Sequence, residues 1–299
     1  MKILLTGAGG NVGRGMTARL IEAGHQLVLH DINRLPEAEP FAGVPFVQGD
    51  AQAGIGFERA AAGCDLILHT PAWHGVHWRA KTEADFWRLN VDGTFWMFQA
   101  AVAAGIRRVV FLSSQAWHGH YDKYGFTKRV GEELCEYFRR SHGIGFVAIR
   151  PADFTPWGSF PGYGARLLYG GVDREDVLDS IERSVEFLAR EPGGEAPAGG
   201  EAPGVVVNAV RPNAFTSEQL EGWEAAPAST CESIFPGSRE LIEKHQIDIA
   251  RRPELSELGE GATRVGYAPR RHFGTFLDEL RAAEAGGGAA SVREMRCAY

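Results

Sequence analysis

Tyr124 and Lys128 are the pair of side chains best suited to acid–base chemistry. They lie four residues apart in a stretch with helical spacing (about 124–140), which places both on one helix face. An ammonium group near a phenol favours the phenolate, so we expect Lys128 to lower the pKa of Tyr124 from about 10 toward neutrality. A tyrosine tuned in this way can exchange a proton with a substrate hydroxyl during hydride transfer. Ser114 ends the strand predicted just before this helix, so its hydroxyl can bind the same substrate oxygen.

Glycines recur at positions 7, 10 and 13, between the first predicted strand and the helix that follows it. Gly7 permits a tight turn, Gly10 lets the backbone approach a pyrophosphate, and Gly13 allows the helix to pack closely on the strand. The phosphates then bind the N–H groups at the start of the helix. The strand–turn–helix context therefore predicts a dinucleotide cofactor.

Asp31 ends the second predicted strand, where the ribose of a bound dinucleotide lies. A carboxylate there accepts hydrogen bonds from the ribose hydroxyls and repels a 2′-phosphate, which favours NAD over NADP. Arg34 nearby leaves NADP open as an alternative. Asp50 ends the third strand, where it either accepts a hydrogen bond from the adenine amino group or is an ordinary strand-end carboxylate. Lys128 can also hold the nicotinamide ribose.

The elements that must position these residues alternate regularly as far as Pro151. Short apolar runs separated by helical stretches indicate a parallel sheet covered on both faces, with right-handed crossovers. The predicted fold class is therefore α/β, a doubly wound parallel sheet (Rossmann fold) with a small C-terminal α/β substrate region. The predicted strands are 2–6, 26–30, 46–47, 66–69, 108–112 and 146–149, and the predicted helices are 12–23, 82–104 and 124–140.

The regular alternation ends after Pro151. We predict a cofactor-binding domain over 1–152, a small substrate-binding region over 153–285 and a flexible tail over 286–299. Residues 157–171 are rich in glycine and aromatic side chains and are predicted as loop, and 191–204 (EPGGEAPAGGEAPG) as a mobile surface insertion. The remaining predicted elements are helices over 173–189, 217–223 and 273–283 and a strand over 205–210.

Several motifs together resemble the extended short-chain dehydrogenase/reductase family, in particular its NAD-dependent epimerase/dehydratase group. The motifs are Thr6-Gly7-Ala8-Gly9-Gly10-Asn11-Val12-Gly13, Asp31, Asp50, His69-Thr70-Pro71-Ala72, Asn90-Val91-Asp92-Gly93-Thr94, Ser113-Ser114, Tyr124 to Lys128, and Arg150-Pro151. The resemblance covers about residues 1–190 and returns near 258–280.

The resemblance implies an NAD-dependent enzyme whose catalytic residues are Ser114, Tyr124 and Lys128. It places Asn90 near the active site and several other residues against the cofactor. The predicted cofactor-binding residues are Gly7, Gly10, Asn11, Val12, Gly13, Asp31, Asp50, Ala51, His69, Thr70, Ala72, Asn90, Tyr124, Lys128 and Pro151.

Two departures from the family pattern point to a small substrate. The interval from Ser114 to Tyr124 is short, which removes part of one pocket wall. Asp153 stands where nucleotide-sugar members carry an asparagine, and its carboxylate would repel a nucleotide diphosphate. The compact layout is similar to uronate dehydrogenases, so the predicted reaction is hydride transfer at a secondary alcohol of a small sugar or sugar acid. Two alternatives stay open: a nucleotide-sugar epimerase or dehydratase that recycles NAD within its cycle, and a regulatory protein that binds NAD(H).

Polar and aromatic side chains that follow two strand ends are candidates for substrate binding, since doubly wound folds bind ligands there. The predicted substrate-binding residues are Trp73, His74, Ser114, Gln115, His118, Asp153 and Arg166. Arg166 is the preferred partner of a substrate carboxylate. The tryptophans of this region can equally be packing residues or part of a lid. The histidines at 74, 77, 118 and 120 lack an accompanying carboxylate pattern, and no metal site is predicted.

The predicted helix over 82–104 is apolar around most of its circumference. A helix of this kind must be buried on both sides. One side packs on the sheet, and the other is expected to meet a second subunit. We therefore predict a homodimer through helices 82–104 and 124–141.

Charge and composition exclude several partners. With 31 basic and 38 acidic residues the net charge is −7, which argues against nucleic acid or an anionic membrane as partner. No apolar run approaches the ~20 residues that a bilayer crossing needs, and Gly7 comes too early for a signal-peptide core. Four widely separated cysteines are typical of reduced thiols. We therefore expect a cytoplasmic protein with a small-molecule substrate.

Overall fold

The computed structural model of the chain describes residues 1–117, 121–190 and 201–297 and contains a seven-stranded sheet. The strands are β1 (Lys2–Thr6), β2 (Gln26–Asp31), β3 (Phe46–Gln48), β4 (Leu66–His69), β5 (Arg108–Leu112), β6 (Gly145–Pro151) and β7 (Gly204–Ala209). Their order across the sheet is β3-β2-β1-β4-β5-β6-β7, and the neighbouring pairs from β3 to β6 are parallel. The predicted doubly wound parallel fold is confirmed.

Helices connect the strands and continue beyond them. They are α1 (Asn11–Glu22), α2 (Phe57–Ala61), α3 (Glu83–Trp87), α4 (Gly93–Ala104), α5 (Lys123–His142), α6 (Phe160–Tyr169), α7 (Arg174–Arg190), α8 (Ser217–Glu221), α9 (Pro227–Ile234), α10 (Ser238–His245), α11 (Gly259–Val265) and α12 (Phe273–Glu294). A π-helical turn, Arg88–Asp92, joins α3 to α4, so the helix predicted over 82–104 consists of three successive segments. None of these described helices combines the length and apolarity that a membrane crossing requires.

The strand register brings polar residues together at the carboxyl edge of the sheet. Thr6, at the end of β1, lies opposite His30 of β2 and His69 of β4. Residues 3–5 of β1 and 66–68 of β4 are apolar and buried, because both strands are covered on two faces. Chemistry is therefore confined to the turns that follow the strand ends.

The ends of α5 are set by residues that are readable from the sequence. The Asp122 carboxylate accepts hydrogen bonds from the N–H groups of Tyr124 (2.9 Å) and Gly125 (2.7 Å), as an N-cap does. Gly143 ends the helix in the left-handed conformation, with φ 64°. Tyr124 consequently lies in the first turn of α5, and the Asp122 cap fixes the position of its main chain.

The described residues divide into two compact units. The first comprises residues 1–150, 178–207 and 260–267, and the second 151–177, 208–259 and the chain from 268 onward. The first unit's core is built around Phe98, Phe111 and Phe138, and the second unit's around Trp223 and Phe276. Residues 178–207 thus belong to the first unit, whereas the prediction assigned everything from 153 to 285 to the substrate region.

The segment predicted as loop over 157–171 contains a helix instead, α6. The Ser159 hydroxyl accepts a hydrogen bond from the N–H of Gly162 (3.2 Å), and Pro161 occupies the first turn. A Cβ on Gly164 would collide with the ring of Phe276. Glycine is therefore present here for close helix packing, and the loop prediction was wrong. Arg166 accordingly lies on a helix rather than in a loop.

The end of the predicted insertion and most of the predicted tail have defined positions in the structure. Residues 191–200 lie outside the described residues, but Glu201 forms an ion pair with Arg139 (2.8 Å) and β7 begins at Gly204. At the C-terminus, α12 continues to Glu294, with a break in helical geometry at Gly288. Val292 is 1% exposed and packs in the core of the second unit. The C-terminal segment therefore adds an apolar side chain to the core of the second unit, which the glycine run at 286–288 did not suggest.

Candidate active site

The turn after β1 has the backbone geometry that its glycines predict. Gly7 has φ +71°, and a Cβ there would lie 2.7 Å from the Thr70 hydroxyl oxygen. The N–H of Gly7 donates to the carbonyl of His30 (2.8 Å), and the Thr70 hydroxyl donates to the carbonyl of Thr6 (2.8 Å). Only glycine fits this position, and Thr70 supports the turn from the neighbouring strand end.

The start of α1 is open on the side where a pyrophosphate would bind. A Cβ on Gly13 would collide with the carbonyl oxygens of Gly7 and Ala8, whereas a Cβ on Gly10 would approach only the Gly7 oxygen, at 3.2 Å. The backbone at Gly10 is therefore bare toward a ligand. Asn11 and Val12 begin the helix, and because the Val12 side chain is buried, it leaves the N–H groups to face the ligand.

Asp31 and Asp50 are both fixed by main-chain N–H groups. The two carboxylate oxygens of Asp31 accept hydrogen bonds from Gly9 and Asn33, each at 2.9 Å, and the residue is 9% exposed. Asp50 accepts from the N–H of Gln52 (2.9 Å) and so starts the 3₁₀ turn Ala51–Ala53, in which Ala51 is buried. Asp31 thus keeps lone pairs for ribose hydroxyls in a position set by the glycine turn, which suits NAD.

His69 is an internal residue. Its Nδ1 lies 2.8 Å from the Thr6 hydroxyl and its Nε2 lies 3.4 Å from the Thr94 hydroxyl. Burial, with a smaller contribution from Lys128, lowers the pKa of His69 to about 3, so the ring is neutral at neutral pH. Both imidazole nitrogens of His69 contact these threonines, so only its main chain is available to contact a cofactor.

Asn90 fixes the loop that follows β4. Its side-chain amide accepts from the N–H of Trp73 and donates to the carbonyl of Trp73, both at 2.9 Å. The same amide nitrogen lies 2.9 Å from the Thr127 hydroxyl of α5. Asn90 is 1% exposed and lies in the π-helical turn, a distortion often found at functional sites. It therefore fixes the main chain at Trp73, next to half-buried Ala72.

Ser114, Tyr124 and Lys128 are brought together where β5 ends and α5 begins. The Ser114 hydroxyl hydrogen-bonds the Tyr124 phenol. Lys128 is 2% exposed, and its ammonium donates to the carbonyl of Leu112 (2.7 Å). Its Nζ also lies 5.2 Å from the centroid of the Phe111 ring, within the range of a cation–π contact.

The pKa of Tyr124 is raised in the structure, whereas the sequence predicted that it would be lowered. Burial raises it to about 12, although the hydrogen bond from Ser114 lowers it. Burial also lowers the pKa of Lys128 to about 7, against the opposing influence of Glu132. The expected lowering of the Tyr124 pKa by Lys128 is therefore wrong for this structure. Desolvation of the phenol is the largest cause of the shift, the opposing influence comes from Ser114, and Lys128 is itself only partly protonated near neutral pH.

The predicted substrate residues of the first unit adjoin Tyr124 only in part. The rings of His74 and Tyr124 have centroids 6.4 Å apart, and Trp73 packs edge-on against His77 at 4.9 Å. Gln115 donates to the carbonyl of Arg150 (3.1 Å). His118 lies outside the described residues. Within the described part of the chain, no group of three or more His, Cys, Asp or Glu side chains has a metal-binding arrangement.

In the second unit, Asp153 and Arg166 both contact Thr155. Asp153 accepts from the N–H (3.0 Å) and the hydroxyl (2.9 Å) of Thr155, and the Arg166 Nη1 donates to the Thr155 carbonyl. The Nε and Nη2 atoms of Arg166 are buried and have no hydrogen-bond partner among the described residues. Pro151 ends β6. Arg166 thus offers two unsatisfied guanidinium donors.

Sequence reasoning missed the residues that support the site. Thr127, Thr94 and Glu132 contact Asn90, His69 and the end of β5, respectively. Each is an ordinary helix residue in the sequence, and only the strand order reveals its partner. Asp122 was recognisable, because an aspartate two residues before a predicted helical tyrosine is a standard N-cap.

Comparison with known proteins decides the family. The family model described as "NAD dependent epimerase/dehydratase family" matches residues 3–166. The chain belongs to the NAD-dependent epimerase/dehydratase family. Its Gly10 backbone and Asp31 carboxylate fit the cofactor that this family uses.

Relatives within this family carry two different activities. The chain is 29% identical to UDP-glucose 4-epimerase of Streptomyces lividans over 166 residues, half the length of each protein. It is 28% identical to uronate dehydrogenase of Pseudomonas putida over 204 residues, covering 62% of this chain and 71% of that protein. The solved glucuronic acid dehydrogenase of Chromohalobacter salexigens has a TM-score of 0.62 at 19% identity, covering 94% of this chain and 88% of that one, and shares its fold.

Replacing Asp31 by serine tests the cofactor preference of this family member. We expect the Kd for NADH to rise about tenfold or more, since a hydrogen bond to a charged group contributes about 1.5–3 kcal/mol. The preference for NADH over NADPH should fall with it, because the charge that repels a 2′-phosphate is gone. Titration of cofactor fluorescence measures both. Glu37→Gln, which removes an exposed carboxylate paired with Arg34, is the matched control. Unchanged binding of both cofactors by Asp31→Ser would contradict the role of Asp31.

Proposed function

We propose that the protein is an NAD-dependent oxidoreductase that transfers hydride at a secondary alcohol of a small sugar or sugar acid. The observation that carries the proposal is the hydrogen bond between Ser114 and Tyr124, with buried Lys128 one turn further along α5. The hydroxyl and the phenol are in contact at the end of β5, and the ammonium binds the Leu112 carbonyl of the same strand end. This set is what proton transfer to or from an alcohol oxygen needs.

The three residues have distinct roles in this proposal. Ser114 holds the substrate oxygen, and Tyr124 exchanges the proton of that oxygen. Lys128, when protonated, stabilises the Tyr124 phenolate. Bound NAD supplies the hydride acceptor. Because the pKa of Tyr124 is about 12 in this structure, the phenol is ready to donate a proton, and oxidation of an alcohol requires that pKa to fall first.

Arg166 supports an acidic substrate. Its Nε and Nη2 atoms form the edge of the guanidinium that binds a carboxylate through two parallel hydrogen bonds. Two buried donors without partners are costly unless a ligand satisfies them. The similarity to uronate dehydrogenase over 71% of that protein's length favours the same substrate class. We assign Arg166 to the substrate carboxylate and Asp153, near it through Thr155, to the same substrate region.

Trp73 and His74 form the proposed substrate wall beside Tyr124. Asn90 fixes Trp73 through two main-chain hydrogen bonds, so the position of the wall does not depend on a flexible loop. The Trp73 indole N–H is buried and has no hydrogen-bond partner among the described residues. An indole N–H of this kind suits a sugar hydroxyl as its acceptor.

The second candidate function is a nucleotide-sugar epimerase, which the similarity to UDP-glucose 4-epimerase favours. In an epimerase NAD is reduced and reoxidised within one turnover, so no NADH accumulates. In a dehydrogenase NADH accumulates with product. Absorbance during incubation with uronic acids and with nucleotide sugars separates the two.

An exposed aromatic surface on α3, α4 and α5 supports a homodimer. Trp87 and Phe126 have ring centroids 6.4 Å apart and are 43% and 41% exposed. Trp96 of α4 and Tyr137 of α5 are 43% and 54% exposed. Large aromatic side chains exposed together mark interaction surfaces. We propose that a second copy of the chain covers this surface.

The cysteines support a reducing compartment such as the cytoplasm. Cys64, Cys135, Cys231 and Cys297 are free, and the first three are buried. Free thiols that are not placed for pairing suit a compartment where thiols stay reduced.

Tyr124→Phe tests the catalytic assignment. Removing the phenolic hydroxyl should lower kcat for NADH formation by about 10²–10⁴-fold, the usual contribution of an acid–base group. NADH binding should be almost unchanged, because the ring remains. Steady-state kinetics with a panel of uronic acids and aldoses, together with fluorescence titration, gives both values. Tyr137→Phe, an exposed tyrosine of the same helix, is the control, and turnover retained by Tyr124→Phe would refute the proposal.

Arg166→Met tests the substrate class. We expect the KM for a uronic acid to rise roughly 10–100-fold, because about 1.5–3 kcal/mol of charged hydrogen bonding is lost. The KM for the matching neutral aldose should stay constant, since that sugar has no carboxylate. Arg251→Met removes an arginine whose side chain is 62% exposed and serves as the control. Equal effects of Arg166→Met on the acid and the neutral sugar would contradict the carboxylate assignment.

Light scattering tests the dimer. The chain has a mass of 32.6 kDa, so we expect about twice that value for the wild type in solution. Trp87→Glu should give the monomer mass at micromolar concentration, because a charge cannot be buried unpaired at low cost. Ile21→Glu, at an exposed apolar residue of α1, should leave the mass unchanged. A wild-type protein with the monomer mass would refute this part of the proposal.

A further inference from the structure

Three consecutive residues at the end of β5 each form a hydrogen bond with one side chain of α5. The pairs are Leu112 with Lys128, Ser113 with Glu132, and Ser114 with Tyr124. Two of the pairs contain proposed catalytic residues, and the third, between Ser113 and Glu132, does not. The contact between α5 and β5 is therefore fixed at three adjacent points, of which only two are used in the reaction.

Glu132 also connects this contact to the next strand. Its Oε1 accepts from the Arg150 Nε (2.8 Å) and its Oε2 from the Arg150 Nη2 (2.6 Å). The side chains of Glu132 and Arg150 are only 11% and 13% exposed. Ser113 is 1% exposed, and its N–H donates to the carbonyl of Ile149 (2.7 Å). One nearly buried carboxylate thus ties α5 to the ends of both β5 and β6.

Glu132 is also the carboxylate that faces the buried Lys128 ammonium. It lies four residues after Lys128 and so on the same face of α5. It raises the pKa of Lys128 against the stronger effect of burial. The other groups that face Lys128 are the Cys135 thiol of α5, the Phe111 ring of β5 and His69 of β4. Glu132 is the carboxylate among these groups, so it supplies the negative charge at this position.

We propose that Glu132 is a positioning residue that, held by Arg150 and Ser113, keeps α5 in register on β5 and favours the charged form of Lys128. The proposal rests on the proposed function, because Lys128 matters to catalysis only if Tyr124 exchanges a proton. Glu132 touches neither substrate nor cofactor in this scheme. Its effect reaches the reaction through Lys128 and through the Ser114–Tyr124 distance.

Glu132→Gln tests this role, because the amide keeps the shape and removes the charge. Lysine labelled with ¹³C at Cε gives a resonance for Lys128 that Lys128→Met identifies by its disappearance. We expect the titration midpoint of Lys128 to fall by about one pH unit or more, as loss of a nearby opposite charge does. The kcat for NADH formation at neutral pH should fall about tenfold, while the KM for substrate changes less than about threefold.

Glu136→Gln is the matched control, since Glu136 lies one turn further on α5 and pairs with Arg139 and Arg140. It should leave the Lys128 midpoint and kcat unchanged. Where Glu132→Gln alone fails to fold because Arg150 loses its carboxylate, Arg150→Gln is compared with the double variant. The Lys128 titration midpoint should again be lower in the double variant, which lacks the Glu132 charge, than in Arg150→Gln. An unchanged midpoint in either comparison overturns the proposal.

The NMR titration needs no substrate and therefore separates this inference from the proposed function. Absence of turnover by the wild type on every sugar tested would refute the proposed function alone. A lowered Lys128 midpoint with unchanged kcat would overturn the positioning role, since the charge of Lys128 would then have no bearing on turnover.

Discussion

The burial of one ammonium group, that of Lys128, governs much of the arrangement around Tyr124. A buried lysine needs acceptors and a compensating charge, and here the Leu112 carbonyl and Glu132 meet those needs. Both partners exist only if α5 lies against the carboxyl end of β5 in a single register. That register also gives Tyr124 its contact with Ser114. The contact between Ser114 and Tyr124 and the stabilisation of the buried lysine are therefore two results of the same packing.

The cofactor side of the site depends on a different principle, which is the pairing of short polar side chains with the main chain. Thr70, Asp31 and Asn90 each bind backbone groups of another segment at 2.8–2.9 Å. These contacts fix the turns after the strands without using large side chains. The strand ends thus remain accessible while their backbones are rigid, as a site for an extended dinucleotide requires.

The fold and the positions of the central candidate residues could be predicted because each has a local signal. The strand–turn–helix context of Gly7 and the spacing of Tyr124 and Lys128 are readable within a few residues. The helix α6 was missed, because Gly164 looks like a loop residue until Phe276 is known to pack on it. The direction of the Tyr124 pKa shift was missed for a related reason. Charge proximity is visible in a sequence, whereas desolvation depends on everything that packs around the phenol.

The contacts of His69 determine which group donates and which accepts in the hydrogen bonds at the carboxyl edge of the sheet. The Thr94 hydroxyl donates its only hydrogen to the Asn90 carbonyl in the π-helical turn (2.7 Å), so it can only accept from His69. The neutral imidazole must then carry its proton on Nε2, and its Nδ1 must accept from the Thr6 hydroxyl. The number of available hydrogens thus assigns one tautomer to His69. It also gives the row of hydrogen bonds from Thr6 through His69 and Thr94 to Asn90 a single donor-to-acceptor direction. The dipoles along this path are aligned head to tail, so the carboxyl edge of the sheet has a built-in polarity that does not change at ordinary pH.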